Sequence, residues 1–168
     1  MPDTPPPVLD PVSFEVLNHR LLSIAEEMGI HYMRCSGSNV LITGNDAASA
    51  IMDAHGDLVA VGPYIVTQGN VLPLIVQATI DSTARHGGFE DGDIFICNDP
   101  YLGAIHAPDF ATVAPIFHDG ELIAWVGASG HQLDTGGMDP GGFSVKAVDI
   151  HQEGLRMPPV KLVERGEV

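Results

Sequence analysis

Basic residues are scarce in this chain: 7 Lys and Arg stand against 22 Asp and Glu in 168 residues, for a formal net charge of −15. Nucleic acid and anionic membrane surfaces both demand a basic footprint, so neither is an expected partner. The acidic residues are dispersed rather than run together, which makes them a solvated surface plus a few site carboxylates. Cysteine is nearly absent too. Cys35 and Cys97 stand alone, widely spaced and in apolar surroundings. That excludes a disulfide framework or redox motif and reads as two buried thiols in a reducing compartment. No apolar run is long enough to span a bilayer, and Met1-Pro-Asp-Thr-Pro-Pro-Pro7 offers neither a basic leader nor an apolar signal core. A cytoplasmic protein is therefore expected. A strand–glycine-loop–lysine phosphate motif is missing as well, so any nucleotide should bind elsewhere.

What is present suits one globular domain with a sizeable core. Apolar residues make up 45% of the chain and charged residues only 17%, with 19 Gly and 13 Pro marking many turns. Residues 1–9 form a proline-rich arm with no means of burying itself. Asp10-Pro11 then supplies a helix N-cap followed by proline at the first helical position. Val12, Val16, Leu17, Leu21, Ile24, Ala25 and Met28 recur at helical spacing, predicting a helix to about Met33. After the break at Ser36-Gly-Ser-Asn39 come two short strand-like runs, Val40–Thr43 and Ala47–Met52. The turn Asp53-Ala-His-Gly-Asp57 and the run Leu58–Val61 complete a hairpin pattern. Gly69–Arg85 returns to helical spacing, where Pro73 is tolerable only in the first turn. Ile94–Cys97 reads as a buried strand, and a further run covers Val145–Ile150. The order predicts an α+β fold, helices packed on antiparallel strands and hairpins.

The most informative feature is a pair of motifs, His106-Ala-Pro-Asp109 and Ser129-Gly-His131-Gln-Leu-Asp134-Thr-Gly-Gly137. Each has a histidine followed three residues later by an aspartate. Between them lie the strand-like runs Phe110–Phe117 and Leu122–Ala128, joined by His118-Asp-Gly-Glu121. A hairpin here brings His106 and Asp109 next to His131. Two imidazoles and a carboxylate suit a divalent metal that keeps coordination positions open for substrate. One such pair alone would read as a loop capping a strand end. Two pairs at the two ends of one hairpin favour metal, with Mn, Fe and Zn all compatible. Asp134 reads as an acceptor for an imidazole N–H rather than a ligand. Asp99, in Asn98-Asp-Pro100, reads as a turn former. The glycines of Gly136-Gly137 and Gly141-Gly142 read as tight turns. His19, His31, His55, His86, His118 and His151 have no partnered spacing and read as exposed or structural. Cys97 and Trp125 belong to strands, Cys97 as core and Trp125 as core or subunit interface.

The second half also resembles a known family. Asp91-Gly-Asp-Ile-Phe-Ile-Cys-Asn-Asp-Pro-Tyr-Leu-Gly103, His106-Ala-Pro-Asp109, Pro115-Ile-Phe-His-Asp-Gly120, His131-Gln-Leu-Asp-Thr-Gly-Gly137 and His151-Gln-Glu-Gly-Leu-Arg-Met-Pro-Pro-Val-Lys-Leu162 carry it. These blocks, in this order, resemble the N-terminal part of the B-type subunit of the hydantoinase/oxoprolinase family, which includes the metal-bearing subunits of acetone and acetophenone carboxylases. Asp46-Ala-Ala-Ser-Ala-Ile-Met-Asp53 and Gly69 fit more loosely. The resemblance implies that residues 10–168 are the N-terminal part of a hydantoinase B/oxoprolinase-like domain. It implies an A-type partner subunit that binds ATP and phosphorylates a carbonyl or amide oxygen of a small substrate. Ring opening of a cyclic amide then follows in hydrolase members, and carboxylation of a ketone in carboxylase members. It further implies a metal on His106, Asp109 and His131, with Asp46 as an additional ligand, and assigns no other catalytic residue.

The chain departs from the family pattern at Gln132, where a second histidine is common, at Ala47 in place of Phe, and near Thr67, where a histidine is expected. A full B-type subunit is also several times longer, so the resemblance implies that the remainder of the subunit is needed. Two readings follow. One is the metal-bearing part of an ATP-dependent amidohydrolase, or of the related ketone carboxylase. The other is a non-catalytic module that docks to a larger partner.

Overall fold

The computed structural model describes residues 9–142 and 144–168; the proline-rich arm falls almost wholly outside them. Six strands form one antiparallel sheet in the order β2-β1-β5-β4-β3-β6, with β1 at Ala47–Asp53, β2 at Leu58–Val61, β3 at Ile94–Cys97, β4 at Asp109–His118, β5 at Glu121–His131 and β6 at Val160–Val163. The helices are α1 (Pro11–Cys35), α2 (Asn39–Gly44) and α3 (Val66–Thr83). This is the expected α+β class.

Strand periodicity explains the layering. On β1, Ala50 and Met52 pack with Leu72, Ile75 and Val76 of α3, while the alternate residue Ile51 packs with Ala25 of α1. Successive side chains point to opposite faces, so β1, buried along nearly its whole length, is covered by α3 on one face and α1 on the other. The larger cluster lies on the α3 side and includes Phe95, Cys97, Val113 and Trp125. Trp125 is fully buried with Phe89 edge-on at 4.7 Å, so it is core. Burial pushes the Cys97 thiol above its ordinary range, which suits a packing residue rather than a nucleophile.

The N-terminus of α1 forms as expected: Asp10 caps it, accepting from the N–H groups of Val12 and Ser13, with Pro11 at the first position. The β4–β5 hairpin also forms. Its turn uses Asp119 (φ 49°) and Gly120 (φ 81°), the positive-φ pair that a two-residue connection between twisted strands requires.

Several expectations are corrected. Val40–Thr43 is not a strand but most of α2, bounded by Ser38 and by Asn45 in a left-handed conformation (φ 51°); a short apolar run does not distinguish the two states. The third helix starts at Val66 rather than Gly69, which places Pro73 inside the helix and not in its first turn. There Pro73 lacks the N–H that would bond Gly69 one turn back, and the buried stripe of α3 holds the helix regardless. Cys35 is exposed because it ends α1 beyond the sheet. Val145 and Val148 are exposed and lie in no strand, whereas Val160–Val163, a run not read as a strand, pairs with β3. Lys161 anchors that edge: its Nζ lies 2.8 Å from the buried carboxylate of Asp93, which also accepts the N–H groups of Glu90 and Arg165.

Candidate metal centre

Three features of the sheet converge at one end. Asp109 opens β4 and His131 closes β5, and the two are direct partners in the antiparallel register. Asp46 precedes β1, where its carbonyl accepts the N–H of His131 at 3.1 Å. His106 sits in the turn leading into β4, closed by Asp109 N–H donating to its carbonyl. The hairpin thus brings His106 and Asp109 to His131, as the motif spacing implied.

The carboxylate of Asp109 is the hub. Its Oδ1 lies 3.0 Å from Nδ1 of His131 and its Oδ2 lies 2.8 Å from Nδ1 of His106. The imidazoles face each other edge to face, with ring centroids 5.1 Å apart. Asp109 and His131 are almost fully buried, while the His106 side chain is 36% exposed. One donor atom from each of His106, Asp109 and His131 falls within 4.8 Å of the others, close enough to share one ion. Burial pushes the Asp109 carboxyl up against the pull of the two imidazoles, and the nearby charge of Asp46 adds to the rise. A cation among these groups would reverse that balance and hold Asp109 ionised. Asp109 Oδ2, sealed from solvent, makes no aligned hydrogen bond despite its closeness to His106. Two imidazole nitrogens and one carboxylate brought this close together fit a divalent metal of intermediate hardness.

Asp46 stands at one remove from this cluster. Its Oδ1 accepts from the Nε2 of Gln68 at 2.9 Å, and the same nitrogen lies 3.5 Å from Asp109 Oδ1. Gln68 is in the first turn of α3, whose N-terminal end favours carboxylates beside it. Tyr32 of α1 also borders the site, its phenol pushed up to about 12 by burial and by the charge of Asp109. Neither residue was found from the sequence. The signal for Gln68 was present: it begins the stripe Gln68, Leu72, Ile75, Val76, Thr79, Thr83 that buries α3. A polar residue on an apolar stripe has a reason to be there.

The loop carrying His106 is braced from below. Buried Asn98 donates through Nδ2 to the carbonyls of Ala107 and Leu155, both at 2.6 Å, and accepts the N–H of Met157 at 2.7 Å. Asp99 caps the short turn Pro100–Leu102, as expected, and meets Arg156 at 3.7 Å. Asp134 is exposed and accepts N–H groups from Gly136 and Gly141, so it shapes the glycine-rich loop rather than serving as an imidazole acceptor. His19, His31, His55, His86, His118 and His151 are all exposed. Access to the centre runs past His106, which lines a cavity of about 360 Å³ with Tyr101, Ile105, Asp149 and Glu153. No helix among the described residues is long and apolar enough to cross a membrane.

Comparison with known proteins places this fold in a family. The model of the hydantoinase B/oxoprolinase family matches residues 10–168, and the chain belongs to that family. A 5-oxoprolinase of Dictyostelium discoideum is 31% identical over 94% of this chain and 12% of its own length. The acetophenone carboxylase delta subunit of Aromatoleum aromaticum is 32% identical over 93% of this chain and 22% of its own. In structure, the ATP-dependent caprolactamase of Pseudomonas jessenii superposes with a TM-score of 0.80 at 26% identity, covering 96% of this chain and 28% of that one. The chain therefore spans from about an eighth to under a third of the length of these relatives.

Proposed function

We propose that the chain forms the metal-holding part of the B-type subunit of an ATP-dependent ring-opening amidohydrolase. Residues 10–168 are the N-terminal part of that subunit's domain, and residues 1–9 an arm ahead of it. The observation that carries this reading is the convergence of His106, Asp109 and His131 donor atoms within 4.8 Å at a partly open, otherwise buried site. Bound there, a divalent Mn, Zn or Fe ion would polarise a carbonyl or lower the pKa of water. The chain's own contribution is geometric. Asp109 fixes the orientation of both imidazoles through its two oxygens, and the β4–β5 register sets Asp109 against His131. His106, the exposed member, faces the cavity where a small carbonyl or cyclic amide substrate enters. ATP binds on an A-type partner subunit, and the remainder of the B-type subunit completes the site in a cytoplasmic complex.

The second reading is a ketone carboxylase subunit, favoured by the acetophenone carboxylase relative, whose 32% identity stands beside the 31% of the 5-oxoprolinase. Isotope-labelled bicarbonate in a turnover assay of the purified complex separates the two. ATP-dependent ring opening without label in the product supports the hydrolase. Label in the product replaces it with the carboxylase. Full turnover after His106→Ala would favour a non-catalytic module instead.

A further inference from the structure

Two cavities adjoin His106, one of about 360 Å³ and one of about 240 Å³, and Glu153 lines both together with it. The backbone holds Glu153 in that place. Its N–H donates to the carbonyl of Ile150 at 3.1 Å, and its neighbours are fastened to the glycine-rich loop. There the N–H of Met138 donates to the Gln152 carbonyl at 2.7 Å, and the N–H of Leu155 to the Thr135 carbonyl at 2.8 Å. The Glu153 carboxylate itself makes no hydrogen bond or ion pair among the described residues. Asp149, the other acid on this wall, is already engaged, because its Oδ1 accepts the N–H of His151 at 2.9 Å. Neither Lys146 nor Arg156 lines either cavity; the Arg156 guanidinium stands 5.6 Å over the Tyr101 ring and its Nε lies 3.7 Å from Asp99. A divalent ion at the metal centre would leave this wall uncompensated, since Asp109 and nearby Asp46 already supply two negative charges. The approach to His106 is therefore electronegative.

Resting on the metal-centre reading above, we propose that Glu153 is a specificity-determining residue that meets the substrate on the side away from its reacting carbonyl. It accepts a hydrogen bond from an N–H donor there and repels a carboxylate. The substrate class it selects is a cyclic amide or ureide that carries N–H donors, and no acid group, on that side. A neutral donor gains from a charged acceptor, because such hydrogen bonds are stronger than those between neutral groups. Two like charges about 6 Å apart, at an effective dielectric constant of about 40, weaken binding about 10-fold.

The test uses two five-membered lactams of nearly the same shape, 5-oxoproline and 5-oxoprolinamide, which differ by a carboxylate against a carboxamide. Their dissociation constants are measured by calorimetry at low and high salt, without ATP, on the metal-loaded protein purified with its accompanying subunits. Wild type, Glu153→Gln, Glu153→Lys and His106→Ala are compared, with the metal content of each. Wild type should bind the carboxamide at least about 10-fold more tightly, and the preference should shrink in high salt. Glu153→Gln should reduce the preference severalfold and Glu153→Lys should reverse it, both with metal content unchanged. Wild type that binds the two equally, binds neither or prefers the carboxylate overturns the proposal, as does a preference that survives in Glu153→Lys. Loss of metal in a Glu153 variant also overturns it, by making Glu153 part of the metal centre. If Glu153→Lys does not fold, a full preference in Glu153→Gln refutes the proposal and a reduced one sustains it. Failure of the metal-centre reading looks different. Wild type without metal, or His106→Ala with the wild-type complement, refutes that centre and this proposal with it. Metal lost only in His106→Ala, with discrimination untouched by either Glu153 variant, refutes this proposal alone.

Discussion

Replacing Asn98 by leucine keeps a side chain of similar size but removes the side-chain hydrogen bonds that tie the His106 loop to the C-terminal segment. Three backbone groups lose their partner: the buried carbonyl of Ala107 and the part-buried carbonyl of Leu155, each at 2.6 Å from Nδ2, and the part-buried N–H of Met157, at 2.7 Å from Oδ1. Asn98 is fully buried, so water does not replace these bonds without a structural opening. At about 1–3 kcal/mol for the buried carbonyl and less for the two part-buried groups, the cost is about 2–4 kcal/mol. That is a large share of the ~5–15 kcal/mol that holds a typical domain together. Denaturant unfolding followed by the fluorescence of Trp125, the single tryptophan and a core residue, measures it. Hydrogen exchange should rise in residues 104–109 and 155–157 before it rises in the sheet. Asn98→Asp should be at least as damaging at neutral pH, because carboxylate oxygens then face two carbonyls. It should recover in part under acid, where the protonated carboxyl regains one donor. A loss below about 1 kcal/mol for the leucine variant, or exchange unchanged in the loop, would refute the view that Asn98 braces the site.

Other outcomes follow from the same contacts. Burial opposes ionisation of Asp93, yet Lys161 and the N–H groups of Glu90 and Arg165 hold its carboxyl below the usual carboxylate range. Its contribution is therefore present above that range and lost as pH falls through the folded-state value. Lys161→Met should destabilise by about 3 kcal/mol at pH 7 by leaving Asp93 buried and without its cation, and should shallow the acid limb of the stability profile measured by denaturant midpoints. Gly130→Ala places a methyl group against Leu41 and 2.7 Å from a Tyr32 ring carbon. It should cost about 1–3 kcal/mol in thermal unfolding, whereas Gly120→Asn in the exposed turn should cost less. Residues 11–20 of α1 are exposed all round and carry Val12, Phe14, Val16 and Leu17. Residues 1–168 alone should self-associate in analytical ultracentrifugation, and Val12→Lys with Val16→Glu should reduce it.

The cluster of His106, Asp109 and His131 was legible because its geometry is local in sequence. A hairpin with an Asp-Gly turn needs only short-range rules, and those rules place Asp109 opposite His131. The α1 cap and the Ile94–Cys97 strand were legible for the same reason. What the sequence hid depends on contacts across the fold. Val40–Thr43 has the composition of a strand and becomes α2 because Leu41 must reach the cluster of Met33 and Ala47. Val160–Val163 pairs with β3 through an edge that Asp93 and Lys161 secure from far apart in the chain. Gln68 reaches the centre because α3 begins a turn earlier than its apolar spacing suggested. Asp134 lost its imagined imidazole because Gly136 and Gly141 turn their N–H groups back onto it.

The central claim is that His106, Asp109 and His131 hold one divalent ion. Anomalous X-ray diffraction at the absorption edges of Mn, Fe and Zn, on crystals of the native assembly, tests it most directly. A single anomalous peak is expected among the side chains of these three residues, absent from crystals of the His131→Ala variant. A fully ordered site with no peak at any of those edges, or a peak on a different set of side chains, would contradict the account.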